Sequence, residues 1–232
     1  MSFHPEVLSP DQRALLRRLG PLGTRLGFYL GGGTAVAIRV GHRRSIDFDW
    51  FTEDRIPDPR GLAERMAGEL PELRIESLDR GTLHARVGGV RVSFFEYPYP
   101  AIRPPADWAE YGCRIASAED LACMKLAAIA ARGSKRDFFD LYALGRSGLD
   151  LAGMLESYQR KFQVEDTGHV LMSLTYFDDA EKEEAPALLQ GMEWEQVKRA
   201  LEAWVAEYVR ARAPGPGPGA GGGGREAGRG QG

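Results

Sequence analysis

The chain has only two cysteines, Cys113 and Cys123, with no C-x-x-C pair and no histidine at metal-ligand spacing. A disulfide framework and a zinc site are therefore excluded as its organising principle, and reduced thiols are expected. Before Ala213 no stretch free of polar side chains is longer than Leu126 to Ala131, far short of the roughly 20 apolar residues a membrane-spanning helix needs. The opening MSFHPEVLSP lacks the basic-then-apolar order of a secretory signal, so the expected location is the cytoplasm, with no membrane partner. Charge of one sign is lacking too: 30 basic and 33 acidic residues leave −3. Any contact with nucleic acid must then come from a local patch rather than the global field. Lysine is scarce, 5 of those 30 bases, which makes each lysine informative.

What is present is enough apolar matter, 43% of 232 residues, for one large or two small domains. Composition changes at Ala213, after which the Gly- and Pro-rich tail has no aliphatic side chain larger than alanine. Such a tail cannot bury a core and is expected to be disordered. Ser9 and Pro10 start a helix carried by Leu15, Leu16 and Leu19, which is expected to end near Gly20 and Pro21. A strand at 28–30, a helix at 34–40, an alternating strand at 46–51 and a helix at 57–70 follow. Three strands at 73–78, 82–87 and 90–97 are separated by Gly-containing turns. From Ser117, where SAED offers an N-cap, the pattern reads as helices at 118–132, 135–146, 150–162, 167–176 and 193–212. The expected fold is α+β: a small mixed β-sheet domain over 1–115, an all-helical domain over 116–212, then the tail.

The stretch FYLGGGTAVAIRVGHRRSIDFDWF carries the chemistry. Its glycine turn joins a strand to a helix, so the N–H groups of Gly32 and Gly33 lie at the positive end of the helix dipole, where a phosphate is stabilised, and Thr34 can add a hydroxyl. It is neither a Walker A loop nor a dinucleotide fingerprint. Asp47 and Asp49 are two apart on a strand and project to one face, while Phe48 and Trp50 turn to the core. Two such carboxylates repel unless a cation lies between them, and Mg²⁺ shared with substrate phosphates is the usual hard-cation solution.

GGGT, a dozen residues, then D-F-D resembles the signature of the DNA polymerase beta type nucleotidyltransferase superfamily. Together with LACMKLAAIAARGSKRDFFDLYAL at 121–144 and the ending FDDAEKEEAPALL…WEQVK, the chain is similar to the AbiEii/AbiGii toxin family of bacterial nucleotidyltransferases. The resemblance covers most of residues 10–205. It implies transfer of a nucleoside monophosphate from an NTP to an acceptor, with one or two Mg²⁺ ions held by Asp47 and Asp49. It further implies the toxin role in a toxin–antitoxin or phage-defence pair, a cognate antitoxin protein, and tRNA ends among possible acceptors.

Lys125 lies mid-helix among Leu, Ala, Cys, Met and Ile, where an unpaired ammonium is costly, so it needs an anionic partner unless it snorkels to solvent. Asp137 and Asp140 share a helical face. The resemblance assigns the pair to the active site; for Asp140 a surface network with Lys135 and Arg136 is the alternative. His42, Arg43 and Arg44 precede the acidic strand and are candidates for gripping a triphosphate or an acceptor RNA backbone, Arg44 being assigned to the nucleotide, against a solvated loop. The superfamily commonly adds a third carboxylate from a later strand, and here Ser93 stands where it is expected. Glu96 is off in parity. Either the site works with two carboxylates, or Asp137 supplies the missing charge, or the chain has become a non-catalytic binding or regulatory module that keeps the fold. Tyr97, Tyr99, Trp108 and Tyr111 are expected to pack between the domains, and His4, His84 and His169 receive no role.

Overall fold

The computed structural model describes residues 3–213, so residues 214–232 of the tail lie outside the described residues. Ser9 caps α1 (Pro10–Arg25) in a reciprocal box: the Gln12 N–H donates to Ser9 Oγ at 3.2 Å, and the Ser9 N–H to Gln12 Oε1 at 2.9 Å. Contrary to expectation the helix runs through Gly20 and Pro21. Gly20 packs against the Tyr111 carbonyl where no Cβ fits, and a Cβ at Gly23 would lie 2.9 Å from the Trp50 ring. That packing, with Leu16, Leu19 and Leu22 buried, outweighs the ~3 kcal/mol that an interior proline costs.

β1 (Tyr29–Gly31) passes directly into α2 (Gly32–Val40), so the glycines form the helix's first turn rather than a loop before it. Then come β2 (Asp47–Thr52), α3 (Pro59–Ala67), β3 (Leu73–Asp79), β4 (Thr82–Val87) and β5 (Val90–Glu96). Two short strands, β6 (Ala106–Trp108) and β7 (Cys113–Ile115), lie where a bare connection was expected. Three residues are too few to show an alternating pattern, and β7 is held by a long-range parallel pairing of Ile115 with Leu30. The sheet is therefore a seven-stranded mixed one, in the order β3-β4-β5-β2-β1-β7-β6.

β2 sits at its centre, antiparallel to β1 and parallel to β5. Phe48 and Trp50 are fully buried on one face, as their alternation requires, leaving Asp47, Asp49 and Phe51 on the other. That second face is covered by helices: α4 (Ala118–Arg132), capped by Ser117, and α5 (Lys135–Arg146), both of which pack on α2. α6 (Leu151–Phe162), α7 (Gly168–Ser173), α8 (Asp178–Glu181) and α9 (Trp194–Arg212) complete the helical part.

One buried apolar cluster runs through both halves. The halves are also joined by polar contacts to the 100–102 segment: Lys161, paired with Asp120 at 2.7 Å, donates to the Pro100 carbonyl at 3.0 Å, and the Ile102 N–H donates to Asp120 Oδ1 at 3.0 Å. The four aromatic residues expected between the halves divide. Tyr99 meets the Phe162 ring at 4.8 Å and the Tyr97 ring lies 5.1 Å from the Lys161 ammonium, whereas Trp108 and Tyr111 pack on one another at a tilt, against Phe3 and α1. The segment after α8 returns to the first half, where the Arg44 N–H donates to the Ala187 carbonyl at 2.9 Å and the Leu189 N–H to that of His42 at 2.8 Å. Among the described residues no helix is long and apolar enough to cross a membrane.

Candidate active site

A cleft of about 1260 Å³ opens between the β4-β5-β2 face, the N-terminal turn of α2, and α4 with the start of α5; residues 183–187 form part of its rim. The parallel register of β2 with β5 lays its floor in rows: Asp47 beside Arg91, Asp49 beside Ser93, Phe51 beside Phe95. Gly31 caps α2 without any side-chain acceptor, so the N–H groups of Gly32 and Gly33 remain open at the helix's positive end. Both glycines are dictated by close approach. Gly32 has φ +63°, and a Cβ there would lie 2.5 Å from Asp49 Oδ2, while one at Gly33 would collide with the Arg43 guanidinium.

Burial, and next the Asp47 carboxylate, push the Asp49 carboxyl up to about 6, against the pull of Lys125, Arg136 and Arg132. Two carboxylates that repel one another on a cleft floor form an arrangement that a bound cation would relieve. Its hard oxygen donors suit Mg²⁺, two protein ligands being ordinary where substrate phosphates complete the sphere. Among the described residues no group of three or more His, Cys, Asp and Glu side chains is placed to hold a metal alone.

Lys125 has the anionic partners its setting requires. Its Nζ lies 2.8 Å from Asp137 Oδ1 and 2.6 Å from Asp140 Oδ2, and neither aspartate side chain is exposed. Arg43 closes on Asp140 through two bonds of 2.6 and 2.9 Å, and His42 Nε2 lies 2.7 Å from the same carboxylate. Arg132 Nε donates to Asp137 Oδ2 at 2.9 Å. Burial opposes ionisation of Asp140, but Lys125, Arg43 and His42 outweigh it and hold its carboxyl well below the ordinary value. Asp137 is likewise lowered, by Lys125 and Arg132 against its burial.

These contacts correct several expectations. Asp140 is no surface residue: its partners come from the 42–43 segment and α4, while Lys135 turns to the Glu183 carbonyl at 2.5 Å. Asp137, neutralised from two sides and fully buried, does not bring a spare carboxylate to the floor. Thr34 is fully buried, its hydroxyl committed to Ser45 Oγ at 2.7 Å and to the Asp47 carbonyl, so it is turned from any phosphate. Arg43 is likewise spent on Asp140, whereas Arg44 is exposed on the cleft wall.

Ser93 does stand beside Asp49, and His84 Nδ1 lies 3.0 Å from its hydroxyl. Glu96 is occupied elsewhere, accepting the Ile56 N–H at 2.9 Å. The cleft also gathers residues given no role or a different one by the sequence: Arg132, Arg136, His84, Phe51 and Phe95. For Phe51 and Phe95 the signal was available, since each follows Asp49 or Ser93 by two strand positions.

The profile described as "Nucleotidyl transferase AbiEii toxin, Type IV TA system" matches residues 13–214. A protein of Aquifex aeolicus (strain VF5), aq_aa25, is 38% identical over 205 residues, covering 87% of this chain and 98% of its own. Among solved structures, JHP933 from Helicobacter pylori aligns with TM-score 0.56 at 18% identity, over 90% of this chain and 94% of its own. MenT4, the nucleotidyltransferase toxin Rv2826c of Mycobacterium tuberculosis H37Rv, aligns with TM-score 0.53 at 16% identity, over 84% and 82% of the two chains. At those identities the structures establish a shared fold, and the profile match over most of the sequence establishes the lineage: the chain belongs to the AbiEii family of nucleotidyltransferase toxins.

Proposed function

We propose that this cleft transfers a nucleoside monophosphate from an NTP to the hydroxyl of an acceptor, tRNA being the one to test, with pyrophosphate leaving. The observation that carries the reading is the Asp47 and Asp49 pair facing a cleft beside the uncapped N–H groups of Gly32 and Gly33. Asp47 and Asp49 would hold one or two Mg²⁺ ions, which when bound lower the pKa of an attacking hydroxyl and offset charge on the triphosphate.

The chain's own groups do the rest. The Gly32 and Gly33 N–H groups donate to phosphate oxygens, and the exposed guanidinium of Arg44 and that of Arg136 flank them. Lys125 is a preorganised charge: gripped by Asp137 and Asp140, it spends no reorganisation energy when negative charge grows on the transferring group. Asp137 acts as a positioning residue for Lys125 and Arg132. In the acceptor's attack a new O–P bond forms at the α-phosphorus, the bond from that phosphorus to the α–β bridging oxygen breaks so that this oxygen leaves with pyrophosphate, and the hydroxyl proton passes to water in the open cleft. The reading includes a cognate antitoxin as partner, a division into sheet and helical parts near residue 115, and a cytoplasmic setting.

The test is pyrophosphate release and label transfer from each of the four NTPs to total tRNA with Mg²⁺. Asp47→Ala should abolish both while leaving the melting temperature equal or higher. Transfer that survives Asp47→Ala overturns the reading. NTP binding with no release of pyrophosphate by wild type overturns catalysis and leaves a binding module.

A further inference from the structure

We propose that the end of the cleft formed by Phe51, Phe95 and Tyr97 is the seat of the donor triphosphate's nucleobase. This rests on the reading of Asp47 and Asp49 as the triphosphate end. The floor is graded along the strands, because three successive rows change character in one direction: Asp47 with Arg91, Asp49 with Ser93, Phe51 with Phe95. Rows two residues apart are separated by roughly 6.6 Å, comparable to the distance from an α-phosphate to the base it carries.

The facing wall is graded the same way. Met124 meets the floor at the aromatic end, since a Cβ on Gly31 would touch both the Phe51 ring, at 2.7 Å, and the Met124 sulfur, at 3.4 Å. Lys125 and Arg132, which follow Met124 on α4, line the cleft as the cations bonded to Asp137. A nucleotide has the same polarity, with phosphates at one end, sugar between and a planar apolar face at the other.

The aromatics at this end are not core. Phe48, Trp50 and Phe94, on the opposite face of the same strands, are fully buried, whereas Phe51, Phe95 and Tyr97 keep part of their surface open to the cleft. They are held rigidly. Phe51 and Phe95 stack at 5.1 Å with 25° between planes, and Tyr97 meets Phe51 edge-on at 5.4 Å. Tyr97 is itself pinned by the buried Lys161 ammonium 5.1 Å from its ring. A preformed aromatic wall binds a planar heterocycle without a large ordering cost, and stacking of this kind tolerates any base.

Calorimetry on the full chain with Mg²⁺ tests the inference, comparing inorganic triphosphate with the tightest-binding of ATP, GTP, CTP and UTP. Phe95→Leu, which keeps apolar volume but removes the ring, should weaken the NTP about tenfold and leave inorganic triphosphate unchanged; Phe95→Trp should restore the NTP. Equal loss of both ligands, or no loss of the NTP, overturns the proposal. Unchanged NTP binding with a raised KM for tRNA also overturns it, by assigning the wall to the acceptor. If wild type binds neither ligand, the triphosphate reading itself falls and takes the inference with it; if it binds both equally well, only the base seat falls.

Discussion

Gly32 approaches Asp49 so closely that a Cβ on it would lie 2.5 Å from the carboxylate Oδ2, and its φ of +63° is a conformation other residues adopt at a cost. The glycine turn and the acidic strand thus form one packed unit. Gly32→Ala should displace Asp49 and reduce transfer by about 10²-fold or more, the scale expected for small misplacement of a reacting centre. Gly41→Ala is the control: it has φ +72° and its Cβ would crowd the His4 ring at 2.8 Å, at the C-terminal end of α2. It should lower the melting temperature similarly yet keep transfer. Equal activity loss in both variants would reduce the Gly32 effect to general instability.

The raised carboxyl of Asp49 gives the metal-free protein a defined pH response. A folded-state value pushed up to about 6 lies above the ~4 of an unfolded aspartate, so the group's stabilising contribution is complete below about pH 4 and is lost as pH rises through 6. The loss at neutral pH is on the order of 2–3 kcal/mol. With a chelator present, Asp49→Asn should therefore melt above wild type at pH 7.5 and close to it at pH 4.5. Mg²⁺ should raise the wild-type melting temperature at pH 7.5 and scarcely move the variant. Parallel melting curves across that range would show that Asp49 is neither strained nor a ligand.

Thr34 offers a test of what the buried hydroxyl does. Its bonds to Ser45 Oγ and the Asp47 carbonyl tie the first turn of α2 to the start of β2. Thr34→Val should cost roughly 1–3 kcal/mol in urea unfolding through the unsatisfied groups it leaves. Binding of inorganic triphosphate should weaken little. A variant that folds as well as wild type but loses triphosphate would return Thr34 to the phosphate contact that its burial argues against.

The parts of this site visible in the sequence are those set by local periodicity. Asp47 and Asp49 share a face because strand side chains alternate, and Lys125 demanded a partner because its helical neighbours are apolar. What was hidden depends on distant pairing. Asp140 finds Arg43 and His42 at 97 and 98 residues' separation, which turns an ordinary-looking surface acid into a fully buried hub. His84 reaches Ser93 only through the β4 to β5 register. Pro21 stays helical because of Tyr111 and Trp50, neither of which is near it in sequence.

Lys125 is where stability and function are most tightly joined. Its ammonium lies 2.8 and 2.6 Å from two carboxylates with no exposure, so Lys125→Met removes one partner of a buried network and should cost about 3–5 kcal/mol in unfolding experiments near pH 7. A lysine snorkelling to solvent would cost almost nothing. Asp137 and Asp140 are lowered in the fold, so the stability they confer is present above the unfolded value near 4 and disappears as pH falls through their folded values. Without Lys125 those folded values rise, and acid unfolding of the variant should begin at higher pH than in wild type. Adding Asp137→Asn to Lys125→Met should restore part of the loss, with a coupling of about 1–3 kcal/mol, because one uncompensated charge is removed. Transfer should stay lost in the double variant, since a neutral pair no longer presents a cation to the cleft. If Lys125→Met unfolds like wild type at pH 7 and keeps its acid midpoint, the network does not hold the two aspartates as charged groups.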